Sequence, residues 1–329
     1  RVARHVWRWQ GAPTPVTERH AACRARPVSA VLQEDKRRNL LDEKMLHLVY
    51  FRTRVLGGYM AGTRPLSIDA ALETVGQWGP WQWRHYATVT LAWIPCALIT
   101  LSTVFANNHP LWRAEPTDGA PNPLPSADPA PCDAPIELID PWRSIQAEWN
   151  LTCEREWLSG LVDSLYFLGF GLGTTFIGKW SDSVGRRKAC LFSAVTLATA
   201  TLMGAAAPSY PIYTALRLVS GIGVGGLGLN AYVLAQETIG PDYQSWTGIG
   251  QSALFGVGAC LLAPIAYLIP AWRALTTFTG VWALAYVPVI LHAEESPQWL
   301  ASSGDLTGAT SLMRKIGRGN GLSSEQTEC

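Results

Sequence analysis

The sequence predicts an all-α membrane protein whose core is a bundle of six transmembrane helices. Hydrophobic residues make up 48% of the 329-residue chain, whereas charged residues make up only 16%. The charges crowd into residues 1–84, 113–156 and 294–328, and between Glu156 and Glu294 they lie mostly at the edges of long apolar runs. Runs of about 20 apolar residues are long enough to cross a bilayer as helices. This distribution is typical of a multi-pass membrane protein.

Six apolar runs reach that length, and together they define the predicted bundle, residues 67–292. They lie at about residues 86–106, 158–178, 189–207, 212–235, 247–269 and 274–291. The first run contains Pro95, which a bundle tolerates because neighbouring helices can satisfy the carbonyl group that the proline leaves free. A short amphipathic helix at residues 67–76 is expected to precede it.

The turn between the second and third runs is strongly basic and sets the predicted orientation. It contains Lys179, Arg186, Arg187 and Lys188. Because cytoplasmic loops carry an excess of lysine and arginine, this turn is expected in the cytoplasm. Both ends of the bundle's chain then lie inside, and the acidic segment 107–157 becomes an external loop.

The predicted external loop contains two cysteines and a glycosylation sequon. Cys132 and Cys153 share this polar segment, which could face an oxidising compartment. A disulfide between them would close a loop of about 20 residues and contribute roughly 3 kcal/mol. The sequon begins at Asn150, and its closeness to the predicted membrane surface leaves its glycosylation open.

The segments outside the bundle give fewer signals. Residues 1–66 predict a basic, disordered extension, with a targeting presequence as the alternative. Residues 293–329 predict a cytoplasmic segment with a short helix, because apolar residues recur at helical spacing from Leu306 to Ile316 and the pattern ends near Gly317 and Gly319. The net charge of +1 gives no support for a nucleic-acid partner, and the six scattered histidines give none for a metal site or cofactor.

The basic turn has a specific spacing. Residues 178–188 read GKWSDSVGRRK, which resembles the signature motif of the major facilitator superfamily. The matching positions are Gly178, Asp182, Gly185, Arg186 and Arg187. Its glycines allow a tight turn, and Asp182 can pair with Arg186 or with a helix N-terminus of a second bundle. The resemblance implies a contact that latches one conformation.

The fourth run resembles a second motif of the same superfamily. The matching positions are Arg217, Gly221, Gly223 and Gly225. Residues 223–228 also match the dinucleotide-binding fingerprint, but they follow no strand and lie inside a membrane-length run, so close helix packing explains the glycines better. Arg217 is expected to point into the bundle or at backbone carbonyls, with snorkelling to the surface as the alternative.

Four segments resemble the solute carrier 22 family of organic cation, anion and carnitine transporters. They are residues 76–82 (GQWGPWQ), 148–154 (EWNLTCE), 237–240 (ETIG) and 295–300 (ESPQWL). Two of them contribute Glu237 and Glu295 to the expected charge network. Family members carry arginine where Gln244 and Gln298 stand, and they carry more cysteines in the external loop.

The resemblance implies the N-terminal six-helix bundle of a major facilitator fold, with the C-terminal six-helix half missing. The intact protein would carry small organic cations, anions or zwitterions across the plasma membrane by alternating access, without making or breaking a bond. Asp163, Asn230 and Gln251 are the candidate substrate-binding residues. Asp163 could equally be a residue of the wet mouth of the bundle, and the two amides could equally join helices. A non-transporting receptor or regulator on the same scaffold is the alternative function.

The cysteine pattern gives a first prediction. Peptide mapping of surface-expressed protein under non-reducing conditions should recover Cys132 joined to Cys153, because these two share the predicted external loop. Recovery of both as free thiols would contradict the pairing and the orientation.

Overall fold

The structure, a computed structural model, describes residues 68–109, 111–114 and 136–322, so the predicted extension 1–66 lies outside it. In the described part, six helices are long and apolar enough to cross a membrane, which confirms the predicted fold class. They are numbered spans 1 to 6. Their bounds are Pro80–Ala106, Cys153–Val184, Arg186–Ala205, Tyr210–Gln236, Pro241–Leu268 and Trp272–Ile290.

All six spans begin before the apolar run that predicted them, because a helix continues through polar turns that hydropathy does not mark. Span 1 begins at Pro80 instead of near residue 86. Proline suits the first helical position because its missing N–H would have no partner there. The backbone N–H of Gly79 donates to Oε1 of Gln82 at 3.0 Å, which closes the helix start.

Three spans contain irregular turns. Span 1 divides into helices Pro80–Thr90 and Trp93–Ala106 because Pro95 has no N–H for the carbonyl of Leu91, which accepts from Ile94 instead at 3.3 Å. Spans 2 and 5 divide into shorter segments as well. Span 2 contains the 3₁₀ turn Cys153–Arg155, helix Trp157–Leu172, the π turn Gly173–Ile177 and helix Gly178–Val184, and span 5 contains the 3₁₀ turn Pro241–Tyr243 and helix Gln244–Leu268.

Span 4 lies at the centre of the bundle, between spans 2 and 3. Its face toward span 2 carries Gly221 and Gly225. A Cβ atom on either glycine would overlap a backbone carbonyl oxygen of span 2, that of Tyr166 or that of Phe170. The two backbones therefore touch, which requires hydrogen at these two positions.

Span 2 also carries glycines on its side of this contact. Gly169 and Gly173 lie against the carbonyl oxygens of Leu218 and Ile222, and a Cβ atom on either would overlap them. Both spans thus carry a glycine pair four residues apart, which puts each pair on one face of its helix. The contact is reciprocal.

The remaining glycine of the predicted motif faces span 3. A Cβ atom on Gly223 would lie 2.8 Å from the Cα atom of Leu197. A position two residues from Gly221 and Gly225 is rotated by about 200° on an α-helix, so it points to the opposite side. The glycine spacing after Arg217 therefore serves two neighbouring helices at once.

The segment predicted as an external loop contains regular structure. Strands β1 (Leu111–Ala114) and β2 (Ile136–Ile139) form an antiparallel two-stranded sheet, with Leu111 opposite Ile139. A 3₁₀ turn at Pro141–Arg143 follows, and then a short helix at Ile145–Glu148. These strands were not predicted because they are only four residues long.

Three helices outside the spans lie at the other end of the bundle. They are α1 (Ile68–Val75), α2 (Pro297–Ser302) and α3 (Leu306–Gly319). Helices α1 and α3 bury their apolar faces together with Trp81 of span 1. Asn320 follows α3 directly, and its side chain joins α3 to span 1 and to α1. Its Oδ1 accepts from the backbone N–H of Trp81 at 3.2 Å, and its Nδ2 donates to the Val75 carbonyl at 3.0 Å.

The contact between spans 2 and 4 yields a prediction about stability. Gly225→Ala should destabilise the folded bundle by about 1–3 kcal/mol, the usual cost of overpacking a close contact. Gly171→Ala in span 2 is the matched control, because a Cβ atom there meets nothing within 4 Å. Thermal unfolding in detergent compares them. Equal midpoints for the two variants would contradict the close approach.

Candidate functional site

The signature residues meet at one end of the bundle, called the basic end because it carries the turn 178–188. Arg186, the first residue of span 3, lies between two acids. It forms an ion pair with Asp182, and its Nη2 lies 3.4 Å from Oε1 of Glu237 at the end of span 4. Its Nη1 also donates to Oγ of Ser181 at 2.7 Å. One guanidinium thus joins spans 2, 3 and 4.

The two acids differ in their exposure to solvent. The side chains of Arg186 and Glu237 are each 16% exposed, whereas that of Asp182 is 64% exposed. Water screens an exposed ion pair, so the bond to Asp182 contributes little free energy. The shielded pair with Glu237 holds the arginine in place. Asp182 can therefore leave or change partners without loss of the cluster.

Glu295 stabilises the start of span 3 through the backbone. Its Oε1 accepts the N–H of Arg187 at 3.0 Å, which places a carboxylate at the positive end of a helix. Gly185 makes room for it, because a Cβ atom there would overlap Oε2 of Glu295. The same glycine has φ +108°, a conformation that other residues rarely adopt. The guanidinium of Arg187 in turn donates to the Leu291 carbonyl at 2.7 Å.

Trp299 completes the cluster, and the sequence did not predict its role. Its Nε1 donates to the backbone carbonyl of Asp182 at 2.9 Å, so α2 closes the last turn of span 2. The available signal was its place in the segment 295–300, four residues after Glu295. The glutamines that replace two family arginines do not prevent the network: Gln298 is exposed, and Gln244 donates to the Ile239 carbonyl at 3.4 Å.

The remaining signature glycine, Gly178, packs against span 4. A Cβ atom there would lie 2.7 Å from Cδ2 of Leu229. That neighbour is the end of a flexible side chain, so the constraint is weaker than at Gly221 and Gly225. Gly178 therefore matters for how the turn packs against span 4, and not for the backbone conformation of the turn.

Arg217 is buried inside the bundle and is only 4% exposed, so it does not snorkel. Its Nη1 lies 3.4 Å from the carbonyl oxygen of Ile99, and its guanidinium lies over the ring of Tyr166 at 4.5 Å. Within the described part of the chain, its Nε and Nη2 have no hydrogen-bond partner. A buried cation with two free donors has unused capacity for an acceptor.

Asp163 lies in a polar network at the opposite end, called the loop end. It accepts from Nδ2 of Asn107 at 3.3 Å, and the same amide donates to the Ser159 carbonyl at 3.1 Å. Gln146 donates to the Asn107 carbonyl at 3.2 Å. These bonds tie the ends of spans 1 and 2 to the loop, which favours the wet-mouth interpretation of Asp163.

The two candidate amides lie elsewhere. Nδ2 of Asn230 donates to the Gly226 carbonyl of its own helix at 2.7 Å, and Oε1 of Gln251 accepts from Nε1 of Trp93 at 2.9 Å. At about 1.5 Å per residue, Asn230 lies roughly 30 Å along span 4 from its loop end. The structure therefore does not bring Asp163 together with these amides. The bond of Gln251 joins spans 5 and 1, as its helix-joining interpretation expected.

Two predictions concern the covalent chemistry of the loop. Cys153 is disulfide-bonded. Cys132 lies outside the described residues, so the pairing stays a prediction. Asn150 is exposed and has φ 51°, and its Oδ1 accepts from the Thr152 hydroxyl at 3.2 Å.

An ion pair at the loop end was also not predicted. Arg273 at the start of span 6 donates from Nε to Oε2 of Glu148 at 3.1 Å and from Nη1 to the Ala205 carbonyl at 2.7 Å. Its guanidinium lies over the ring of Trp272 at 4.5 Å, and that indole also donates to Glu148. The segment 148–154 thus anchors the loop to the spans. The available signal was an arginine directly before an apolar run at a poorly basic end.

Comparison with known proteins gives one family. The family model described as "Sugar (and other) transporter" matches residues 128–328. Organic cation/carnitine transporter 4 of Arabidopsis thaliana is 31% identical over 79% of this chain and 50% of its own length. The organic cation transporter protein of Drosophila melanogaster is 30% identical over 78% and 53%. The chain spans about half the length of these curated relatives.

Solved structures show the same relation to half of a larger fold. The proton:xylose symporter XylE of the major facilitator superfamily, bound to 6-bromo-6-deoxy-D-glucose, is similar with a TM-score of 0.53 and 17% identity. The similarity covers 72% of this chain and 50% of that one. The partially occluded inward-open form of XylE from E. coli gives a TM-score of 0.52 at 18% identity. At this identity the likeness concerns the fold alone.

The shielded arginine yields a prediction. Arg186→Gln should destabilise the bundle by about 2–4 kcal/mol, because it leaves the shielded Glu237 without a cation. Lys188→Gln removes a charge from the same turn at an exposed position and should stay within about 0.5 kcal/mol of the parent. Thermal unfolding in detergent measures both. A smaller loss for Arg186→Gln than for Lys188→Gln would contradict the assigned role.

Proposed function

Because the chain belongs to the sugar (and other) transporter family of the major facilitator superfamily, a family of transporters and not of enzymes, we propose that it is the N-terminal half of an organic-ion transporter. The observation that carries the proposal is its 30–31% identity to relatives named as organic cation or carnitine transporters. Small organic cations, anions or zwitterions are the proposed substrates, and the plasma membrane is the proposed location.

The proposed partner is a second six-helix bundle. Spans 2 and 5 are the least enclosed. In an apolar stretch of 18 residues, 28% of span 2 and 22% of span 5 are buried, against 67% of span 4. Gly160 and Gly171 of span 2 and Gly256 of span 5 all face open space. Small residues on an exposed helix face suit the close approach of another helix better than contact with lipid. This face would receive the missing half.

The cluster at the basic end is the proposed conformational latch. Asp182 is exposed and bound to Arg186. Glu237 also pairs with Arg186, and Glu295 accepts the backbone N–H of Arg187, so these two acids fix the turn. An acid that can leave its partner without loss of the cluster suits a contact that forms and breaks in each cycle. The excess of arginine and lysine in this turn supports a cytoplasmic position.

The proposed substrate pathway lies along spans 1, 2, 4 and 5 and places polar groups at different depths. Asn230 and Gln251 lie in the half nearer the basic end and are each 1% exposed, so a substrate would reach them only when the spans rearrange, whereas Asp163 lies at the loop end. Arg217 offers two donors without partners among the described residues. A buried guanidinium of this kind would favour a carboxylate on the substrate or on the second bundle.

The test compares the chain alone with the chain co-expressed with the second half of a related organic cation transporter. Each form is reconstituted in liposomes, and uptake of labelled tetraethylammonium and labelled carnitine is measured. We expect no saturable uptake by the chain alone, because alternating access needs two bundles that rock against each other. The combined halves should give saturable uptake of at least one probe.

Two outcomes would contradict the proposal. Saturable uptake by the chain alone would show that six helices suffice. Saturable ligand binding by the combined halves without uptake would favour the receptor alternative. Asp182→Asn in the combined halves tests the latch separately: the uptake rate should fall several-fold while the concentration for half-maximal uptake stays similar, since Asp182 is exposed in the turn 178–188 and is not one of the proposed substrate-binding residues.

A further inference from the structure

A cleft of about 250 Å³ opens at the basic end, between the start of span 1 and the exit of span 6. Arg84 and Thr88 line it from span 1, His292 and Glu294 from the end of span 6, and Lys315 from α3. Its walls thus come from three parts of the chain that are distant in sequence. None of these residues belongs to the cluster around Arg186.

The side chains that line the cleft carry a net positive charge. Lys315 is paired with Glu294, the one acid among the described residues that line it. Arg84 is exposed, and its positive charge is left over after that pair. Nδ1 of His292 lies 2.9 Å from the Pro288 carbonyl. A carbonyl only accepts, so Nδ1 is the donor in this contact and Nε2 remains available to the cleft.

His85 and Trp81 form the inner wall. His85 is buried, with Nε2 3.2 Å from the Glu294 carbonyl and Nδ1 3.3 Å from the Thr238 hydroxyl. The ring of Trp81 stacks on it at 5.0 Å. Both imidazole nitrogens are therefore bonded inside the protein. The backbone of Glu294 is held by this contact, which presents its carboxylate and the paired Lys315 at the mouth of the cleft.

The position of Arg84 near the start of the apolar run of span 1 places the cleft at the depth expected for lipid headgroups. Arg84 is one of the last polar residues before the apolar run of span 1, and the neighbouring Trp83 is 57% exposed. Exposed tryptophans at the ends of spans are typical of the membrane–water interface. A cation at this depth meets phosphate groups of the bilayer.

Exposed apolar residues follow the cleft toward the membrane centre on both of the spans that line it. On span 1, Leu91 follows Arg84 and Thr88 at helical spacing on the same face and is exposed. On span 6, exposed residues follow His292 in the same way. They are Pro288, Ala285 and Val281. An acyl chain would find apolar side chains directly below the positive cleft.

We infer that this cleft binds the headgroup of an anionic phospholipid, with the phosphate at Arg84 and Lys315 and an acyl chain along Leu91. A positive cleft between helix ends at headgroup depth recognises such lipids. A soluble phosphate would meet the same cations, but it would make no use of the exposed apolar residues of spans 1 and 6. The inference depends on membrane insertion and stands independently of the proposed transport.

The test uses the full chain in detergent, titrated with phosphatidylglycerol or with phosphatidylcholine as the uncharged comparison. Native mass spectrometry measures the fraction of chain with lipid bound. We expect phosphatidylglycerol to bind more tightly, and Arg84→Gln to weaken that binding about fivefold, the factor expected for one basic residue near anionic lipid. Arg84→Gln with Lys315→Gln should weaken it further.

Arg314→Gln is the matched control, because Arg314 is an exposed neighbour of Lys315 on α3 that does not line the cleft. It should leave phosphatidylglycerol binding unchanged, and Arg84→Lys should restore most of it. Equal effects of Arg84→Gln and Arg314→Gln would overturn the site, as would equal binding of the two lipids. Displacement of the lipid by millimolar inorganic phosphate would overturn the lipid assignment in favour of a soluble anion. Thermal unfolding without lipid verifies that each variant is folded.

Discussion

The contact between spans 2 and 4 is the constraint on which the rest of the bundle depends. Lipid tails are as apolar as leucine, so helices gain little hydrophobic free energy from association in a membrane and rely on close packing. Gly221 and Gly225 let the backbone of span 4 touch span 2, and Gly223 lets it touch span 3. Span 4 can lie at the centre only because its glycines face both neighbours.

That central position determines where the charges go. Arg217 is carried into the interior by the same helix, and the ring of Tyr166 and the carbonyl of Ile99 receive it. At the basic end, span 4 places Glu237 next to the start of span 3, where Arg186 pairs with it. The pair of Arg186 and Glu237 is shielded, with each side chain 16% exposed, whereas Asp182 stays 64% exposed.

The two ends of the bundle are closed by different means. At the basic end, Glu295 accepts a backbone N–H at the start of span 3, and Glu237 pairs with the guanidinium of Arg186. Asn320 joins α1 and α3 to span 1. At the loop end, Glu148 and Arg273 join the loop to span 6 within a group of aromatic rings. Both arrangements leave the sides of spans 2 and 5 uncovered, which is the side that the proposed second bundle would occupy.

The sequence by itself determined the six spans and the signature turn, because hydropathy and the spacing of Gly178, Asp182, Gly185 and Arg186 are local patterns. It also identified the glycines after Arg217, though not the two neighbours that they serve. Only the tertiary structure decided which groups meet: Glu295 with the N–H of Arg187, Glu148 with Arg273, and Asp163 with Asn107 instead of with Asn230. Such pairs join segments far apart in the chain, and their choice depends on how helices of similar composition pack, which no local pattern encodes.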